Sequence, residues 1–376
     1  MRNQEIIKSV QYLRGVAALM VVCFHFRYFL NDTYAQKDLG DALFGSGAFG
    51  VDLFFIISGF IICYSTRKPE NPHPVAAYAL KRFFRIYPLL LFSLLAFVLL
   101  FGADGYSVLK SVIPLQADYS DKGPFFGYNL LSPAWTLTYE ISFYLLFLVG
   151  LAISQKHRRL IAAGLIVSIF LLLQWALNHA IELSAYTEYD YPYGGLVRPA
   201  LAILSSPMIL EFVCGIALYS IFMAAPDLPE KTSMFLKPLL LGTAAISALI
   251  YFSGDFYGHG LTRWGAPSVA LILSLLLYER LNGLPDVRWL FFLGNISYAL
   301  YLTHIIVLQA IRTYGVRFGL EGAPAFAFAV SLSLVAATLV HYLVEVRAID
   351  ACRALLKRLS AAPRRAPRLA LDYQKF

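Results

Sequence analysis

Charge is scarce in this sequence: 14% of its 376 residues are charged against 59% hydrophobic, and the mean hydropathy is +0.64. A soluble domain is nearer a quarter charged, so this composition belongs in lipid. No polar stretch between the apolar runs is long enough to fold as a soluble domain of ordinary size. The four cysteines, Cys23, Cys63, Cys214 and Cys352, lie far apart. That spacing excludes a CxxC metal site and a disulfide framework, and predicts free thiols and no bound metal. The first apolar run, Val10 to Leu30, holds Arg14, His25 and Arg27 and is followed by no small-x-small cleavage site, which predicts a retained helix and not a secretory signal. No internal repeat is visible, which argues against a transporter built from inverted halves. No aromatic-interleaved basic domain exists to bind nucleic acid, although the formal charge is +8.

What the sequence has in quantity is long apolar runs, near 10–30, 48–65, 86–103, 135–153, 159–177, 199–223, 237–253, 263–279, 292–311 and 324–345. Each is of a length to span roughly 30 Å of hydrocarbon as a helix. They predict an all-α polytopic membrane protein of about ten helices. Most Lys and Arg fall in alternate connections, eight of them from Arg347 onward, and the positive-inside rule then places both termini in the cytoplasm. The net charge is mostly an orientation signal. Residues 1–346 read as the transmembrane domain and 347–376 as a basic tail, amphipathic at first, with Ile349, Leu355, Leu356 and Leu359 opposite Arg353, Lys357 and Arg358, and disordered at its end. The connection near 104–134, rich in Gly and Pro, is expected to cap a site at the outer face.

Ionisable residues inside spans are expensive and mark function by default. Here they are Arg14, His25, Asp52, Glu140, Glu211, His304, and His341 with Glu345. Arg14 and His25 are eleven residues apart, about three turns and about 16 Å along one helix face. Arg suits a phosphate through its fork of donors, and imidazole accepts a proton near neutral pH. A snorkelling Arg with a hydrogen-bonded core His fits the same pair. In GAFGVDLFFIISGFII, residues 47–62, Asp52 sits at a depth where it can orient His25 or simply complement a helix dipole. In KRFFRIYPLL, Lys81, Arg82 and Arg85 precede a third helix with Pro88 in its first turn, either a phosphate clamp or orientation residues. SPAWTLTYEISFY opens a fourth helix with Trp135, and places Glu140 at about the depth of His25. GNISYALYLTH opens a ninth with Ser297 and Tyr298 and puts His304 near the midplane; Tyr298 and Tyr301 also read as interface anchors.

In this order the segments LRGVAALMVVCFHF, GVDLFFIISGF, KRFFRIYP, SPAWTLTYEISFY, EFVCGIALY and GNISYALYLTH resemble the acyltransferase 3 family of bacterial membrane O-acyltransferases, across residues 8 to 347. The resemblance implies an inner-membrane enzyme with no permanent cofactor and acyl-CoA, usually acetyl-CoA, as co-substrate. The acceptor it implies is a glycan or lipid-linked glycan at the outer side. It implies donor binding by Arg14, Lys81, Arg82, Arg85, Ser297 and Tyr298, and chemistry at His25, oriented by Asp52 or Glu140, with an acyl-histidine as the competing mechanism. Trp135, Glu211 and His304 are further candidates. Thr136 stands where Ser is commoner in the family, keeping the hydroxyl. The family pattern has Pro two residues after Glu345, whereas Val346 and Arg347 follow here, so it carries no role over to Glu345. No SGNH-type esterase segment follows the last span, so the membrane domain or a separate protein is expected to complete transfer. A flippase of lipid-linked sugar, and succinyl in place of acetyl transfer, are the alternatives.

Overall fold

Among the described residues ten long helices arise, each overlapping one of the predicted apolar runs. The computed structural model describes residues 6–68, 71–116, 118–119, 121–186, 197–226, 229–314 and 321–361. The long helices are α1 (Lys8–Phe26), α2 (Gly50–Ser65), α3 (Pro74–Phe101), α4 (Trp135–Ile153), α5 (Arg158–Asn178), α6 (Leu210–Ala224), α7 (Glu230–Ile250), α8 (Gly265–Asn282), α9 (Arg288–Tyr314) and α10 (Gly322–Val340). A π turn, His341–Glu345, leads α10 into α11 (Val346–Ala361). Arg2 and the tail residues 362–376 lie outside the described residues.

Nine of the described helical segments are long and apolar enough to cross a membrane. The tenth, α8, has 18 residues and a polar last turn containing Glu279 and Arg280. Contacts place its two ends at opposite ends of the bundle, Gly265 against Glu211 and Glu279 against the start of α1. Glu279 accepts from the Lys8 amide (2.7 Å), the Ser9 amide (2.8 Å) and the Ser9 hydroxyl (2.6 Å), so α1 begins where α8 ends. Further along, Gln11 donates to Asn295 (2.8 Å), Arg14 to Ser297 (3.1 Å), and His25 meets His304 (3.2 Å), so α1 and α9 run in the same direction. Parallel neighbours require an even number of crossings before α9 begins, and α1 to α8 supply it only if α8 is one of them. The polar turn is satisfied because Glu279 caps the exposed amides of α1.

The far end of the bundle agrees. Glu345 after α10 pairs with Arg85 of α3, and Asn71 before α3 donates to Ser360 of α11 at 2.8 Å. The beginning of α1 and the whole of α11 therefore share one side of the bundle, as the even helix count predicts.

Three boundaries differ from the sequence expectation. The third helix starts at Pro74, in its first turn, so Lys81, Arg82 and Arg85 lie within the helix and Pro88 is internal. Pro74 is pre-organised to start a helix, and in a membrane an internal Pro is tolerated where neighbours satisfy the backbone. The run 199–223 is broken: Val197–Ser205 ends before Pro207, and Ser206 is extended (φ −74°, ψ 132°), as steric conflict with a following proline demands. Glu211 thereby enters the first turn of α6. The 104–134 connection contains a helix, Gly105–Val112, capped by Asp104, whose carboxylate accepts from the Ser107 amide at 2.9 Å. That hydrogen-bonding holds the Asp104 carboxyl below its usual range. Further along the connection Phe126 is buried and the Pro124 carbonyl accepts from Tyr139 of α4.

Close crossings set the positions of the site helices. A Cβ at Gly59 of α2 would stand 2.2 Å from the Phe212 carbonyl oxygen, and one at Gly215 of α6 2.0 Å from that of Ile56. Small residues at such contacts replace the hydrophobic drive that lipid cannot provide. Gly15 and Gly294 do the same between α1 and α9.

Candidate active site

A cavity of about 790 Å³ opens among α1, α2, α3, α4 and α9. It gathers Arg14, Arg82, Arg85, Glu140, Ser297 and Tyr298, six of the twelve residues expected from sequence to act. Arg14 donates to the Ser297 hydroxyl at 3.1 Å, and that hydroxyl donates to the Gly294 carbonyl at 2.9 Å. Glu140 accepts from Ser58 at 3.2 Å and from Tyr144 one turn along its helix. Three arginines and one carboxylate therefore face a common space lined otherwise by aromatic and aliphatic groups, which suits an anionic ligand with an apolar arm.

Arg85 is less available than the sequence suggests. Its guanidinium pairs with Glu345, which is 2% exposed and is held from its other side by His341 Nδ1 at 2.8 Å. The same guanidinium lies 4.7 Å over the Tyr298 ring. Glu345, to which the resemblance assigned no role, thus fixes one wall of the cavity. His341 and Glu345 are the first and last residues of the π turn and meet as an i,i+4 pair.

Arg14 and His25 do face the same neighbour, since both meet α9. His25 lies beyond the cavity lining. Tyr301 lines the cavity, its ring is 6.2 Å from that of His304, and His304 is 5.0 Å from His25. Thr136 and Tyr301 share a hydrogen bond of 3.0 Å at this end, and Tyr301 donates to the Pro133 carbonyl at 2.9 Å. Ser297, Tyr301 and His304 recur at helical spacing and form one track along α9.

The partners of His25 are not those expected. Its Nδ1 lies 2.9 Å from the Val21 carbonyl and 3.2 Å from His304 Nε2. His304 Nδ1 in turn lies 3.0 Å from the Leu300 carbonyl. A carbonyl only accepts, so both Nδ1 atoms carry hydrogen. His304 Nε2 then accepts from His25, and the lone pair on His25 Nε2 is left for another proton.

Asp52 does not orient His25. Gly47 and Gly50 pack against Met20 and Ala17 of α1, and Asp52, two residues on, is turned about 200° away around α2. It accepts from His259 Nδ1 and from the Gly260 amide, both at 2.8 Å. Glu211 is buried directly beside the Asp52 carboxyl with 0% exposure. Trp135 packs on the same cluster, 5.5 Å from the His259 ring. Glu140 lines the cavity with Arg14, whereas His25 lies outside that lining. Lys81 lines a second cavity, together with Arg82. His259 was not anticipated; it lies in a loop over 200 residues from Asp52, and no local pattern marks it. Among the described residues no group of three or more His, Cys, Asp or Glu is arranged to hold a metal.

Residues 7–342 match the acyltransferase domain family. The chain is 28% identical to Acyltransferase MdmB of Streptomyces mycarofaciens, covering 94% of this chain and 93% of that protein. It is 29% identical to Exopolysaccharide production protein ExoZ of Rhizobium meliloti (strain 1021), covering 77% of this chain and 85% of the relative. It is also 23% identical to Peptidoglycan O-acetyltransferase OatA of Listeria monocytogenes, over 81% of this chain and 50% of the relative. No solved structure matches it.

Proposed function

The chain belongs to the acyltransferase domain family, and on that premise we propose that it moves an acetyl group from acyl-CoA in the cytoplasm to a sugar hydroxyl of a glycan or lipid-linked glycan outside the bacterial inner membrane. The observation that carries this reading is the cavity lined by Arg14, Arg82, Arg85 and Ser297, continued through Tyr301 to the His304–His25 pair. The arginines suit phosphate oxygens. The aromatic lining beyond them suits the uncharged arm of the donor, which would place the thioester toward His25. Names among the relatives, exopolysaccharide production and peptidoglycan O-acetylation, support a polysaccharide acceptor. The cation distribution supports a cytoplasmic placement of the α1 start and of α11.

In this mechanism His25 Nε2 takes the hydroxyl proton as the sugar oxygen bonds to the thioester carbonyl carbon. The carbon–sulfur bond then breaks, and the thiolate recovers the proton from His25, leaving an ester and a free thiol. His304 holds the productive tautomer of His25 and receives part of the charge that develops on it. Asp52, tied to His259, takes no part in this step.

Incubation of the purified protein with acetyl-CoA labelled in the acetyl group and a glycan acceptor tests the assignment. Label in the glycan, absent when acceptor is omitted, is the expected result. Label remaining entirely on CoA contradicts it, and label trapped on His25 after acid quench would replace the general-base step with an acyl-histidine.

A further inference from the structure

A second cavity, of about 870 Å³, lies between the segment after α2, the first turns of α3 and the connection from α4 to α5. Lys68, Lys81, Arg82, Lys156 and Arg158 line it. Positive-inside bias explains why such residues occupy this side of the bundle. It does not explain why three separate segments bring them to one concave wall, where mutual repulsion opposes their approach.

Two of the five are held in place by neutral groups. Arg158 donates through Nε to the Thr66 hydroxyl at 3.2 Å and through its other nitrogens to the Thr66 and Gln155 carbonyls. These acceptors fix the guanidinium without cancelling its charge. Arg82 stands over the rings of Tyr78 (5.7 Å) and Tyr144 (5.3 Å), and its Nε is buried with no hydrogen-bond partner among the described residues. Arg82 also lines the first cavity, so the two spaces meet at its guanidinium. The wall between them is fixed by Tyr78, which donates to the Tyr144 carbonyl at 3.2 Å.

We propose that the second cavity is the subsite for the phosphorylated adenosine end of the donor. The 3′-phosphate lies against Lys68, Lys156 and Arg158, and the pyrophosphate lies at Arg82, from which the pantetheine arm enters the first cavity. This rests on the acyl-CoA reading above. It adds a phosphate-specific discrimination made by residues outside the first cavity.

The test uses purified full-length protein in lipid nanodiscs, wild type and the double variant Lys68→Ala/Lys156→Ala. Both side chains are exposed, and an unchanged melting temperature verifies that the variant folds. KM is measured with acetyl-CoA and with its form lacking the 3′-phosphate, and binding of adenosine 3′,5′-bisphosphate is measured directly. The wild type is expected to show a KM about tenfold or more higher for the donor without the 3′-phosphate. The variant is expected to raise KM for acetyl-CoA by a similar factor with little change in kcat, to bind the bisphosphate correspondingly more weakly, and to discriminate poorly between the two donors. A variant that keeps the wild-type KM ratio overturns the subsite and leaves the donor reading standing. A wild type that neither binds the bisphosphate nor uses acetyl-CoA overturns the donor reading and the subsite together.

Discussion

His25 donates from Nδ1 to Nε2 of His304 across 3.2 Å, and this bond, together with the Val21 carbonyl, leaves the free lone pair of His25 on Nε2. Replacing His304 with Ala leaves the Val21 contact and removes the acceptor that shares the developing charge. Acyl transfer is expected to fall about tenfold in kcat with KM for the donor little changed, whereas His25→Ala is expected to lose about a hundredfold or more. Rates per folded molecule, from detergent-purified variants, check both.

Glu345 is a buried carboxylate between Arg85 and His341. Removing one member of a buried pair leaves the other uncompensated and costs about 3–5 kcal/mol. Glu345→Leu is therefore expected to lower the melting temperature sharply, and Arg85→Met added to it to recover part of the loss. A double variant less stable than either single one contradicts the pairing.

Asp52 and His259 are predicted to couple with each other and not with His25. In a thermodynamic cycle of Asp52→Asn and His259→Gln, the coupling should exceed about 1 kcal/mol, while Asp52→Asn and His25→Gln should be additive within about 0.5 kcal/mol. Thermal or denaturant unfolding supplies the numbers.

These cases show what the sequence carried and what it did not. Helix number and the shared face of Arg14 and His25 follow from hydropathy and from a period of 3.6 residues, both local properties. The break at Pro207 was equally local and was open to inspection, because proline restricts Ser206. The Asp52–His259 and Arg85–Glu345 pairs were not legible, since each joins residues more than 200 positions apart. Depth alone suggested Asp52 for His25, and the rotation of α2 about its axis, set by Gly47 and Gly50 against α1, decided otherwise. The family pattern breaks off after Glu345, so it carries no signal for a residue whose partners lie on α3 and in its own π turn.

The ten-crossing topology predicts opposite exposure of two acidic positions. In a background lacking native cysteines, Asp286→Cys, beside Lys8, should be shielded from a membrane-impermeant thiol reagent applied outside the cell. Asp255→Cys, in the connection between α7 and α8, should be labelled. Equal labelling of both contradicts a crossing by α8.

The central claim is that this fold performs acyl transfer through His25. It is tested most directly by mass spectrometry of cell-surface glycan from a strain lacking this protein, complemented with the wild type or with His25→Ala at matched membrane abundance. The account predicts an acetyl ester restored by the wild type and absent with the variant. Equal acetylation in the two strains would contradict it.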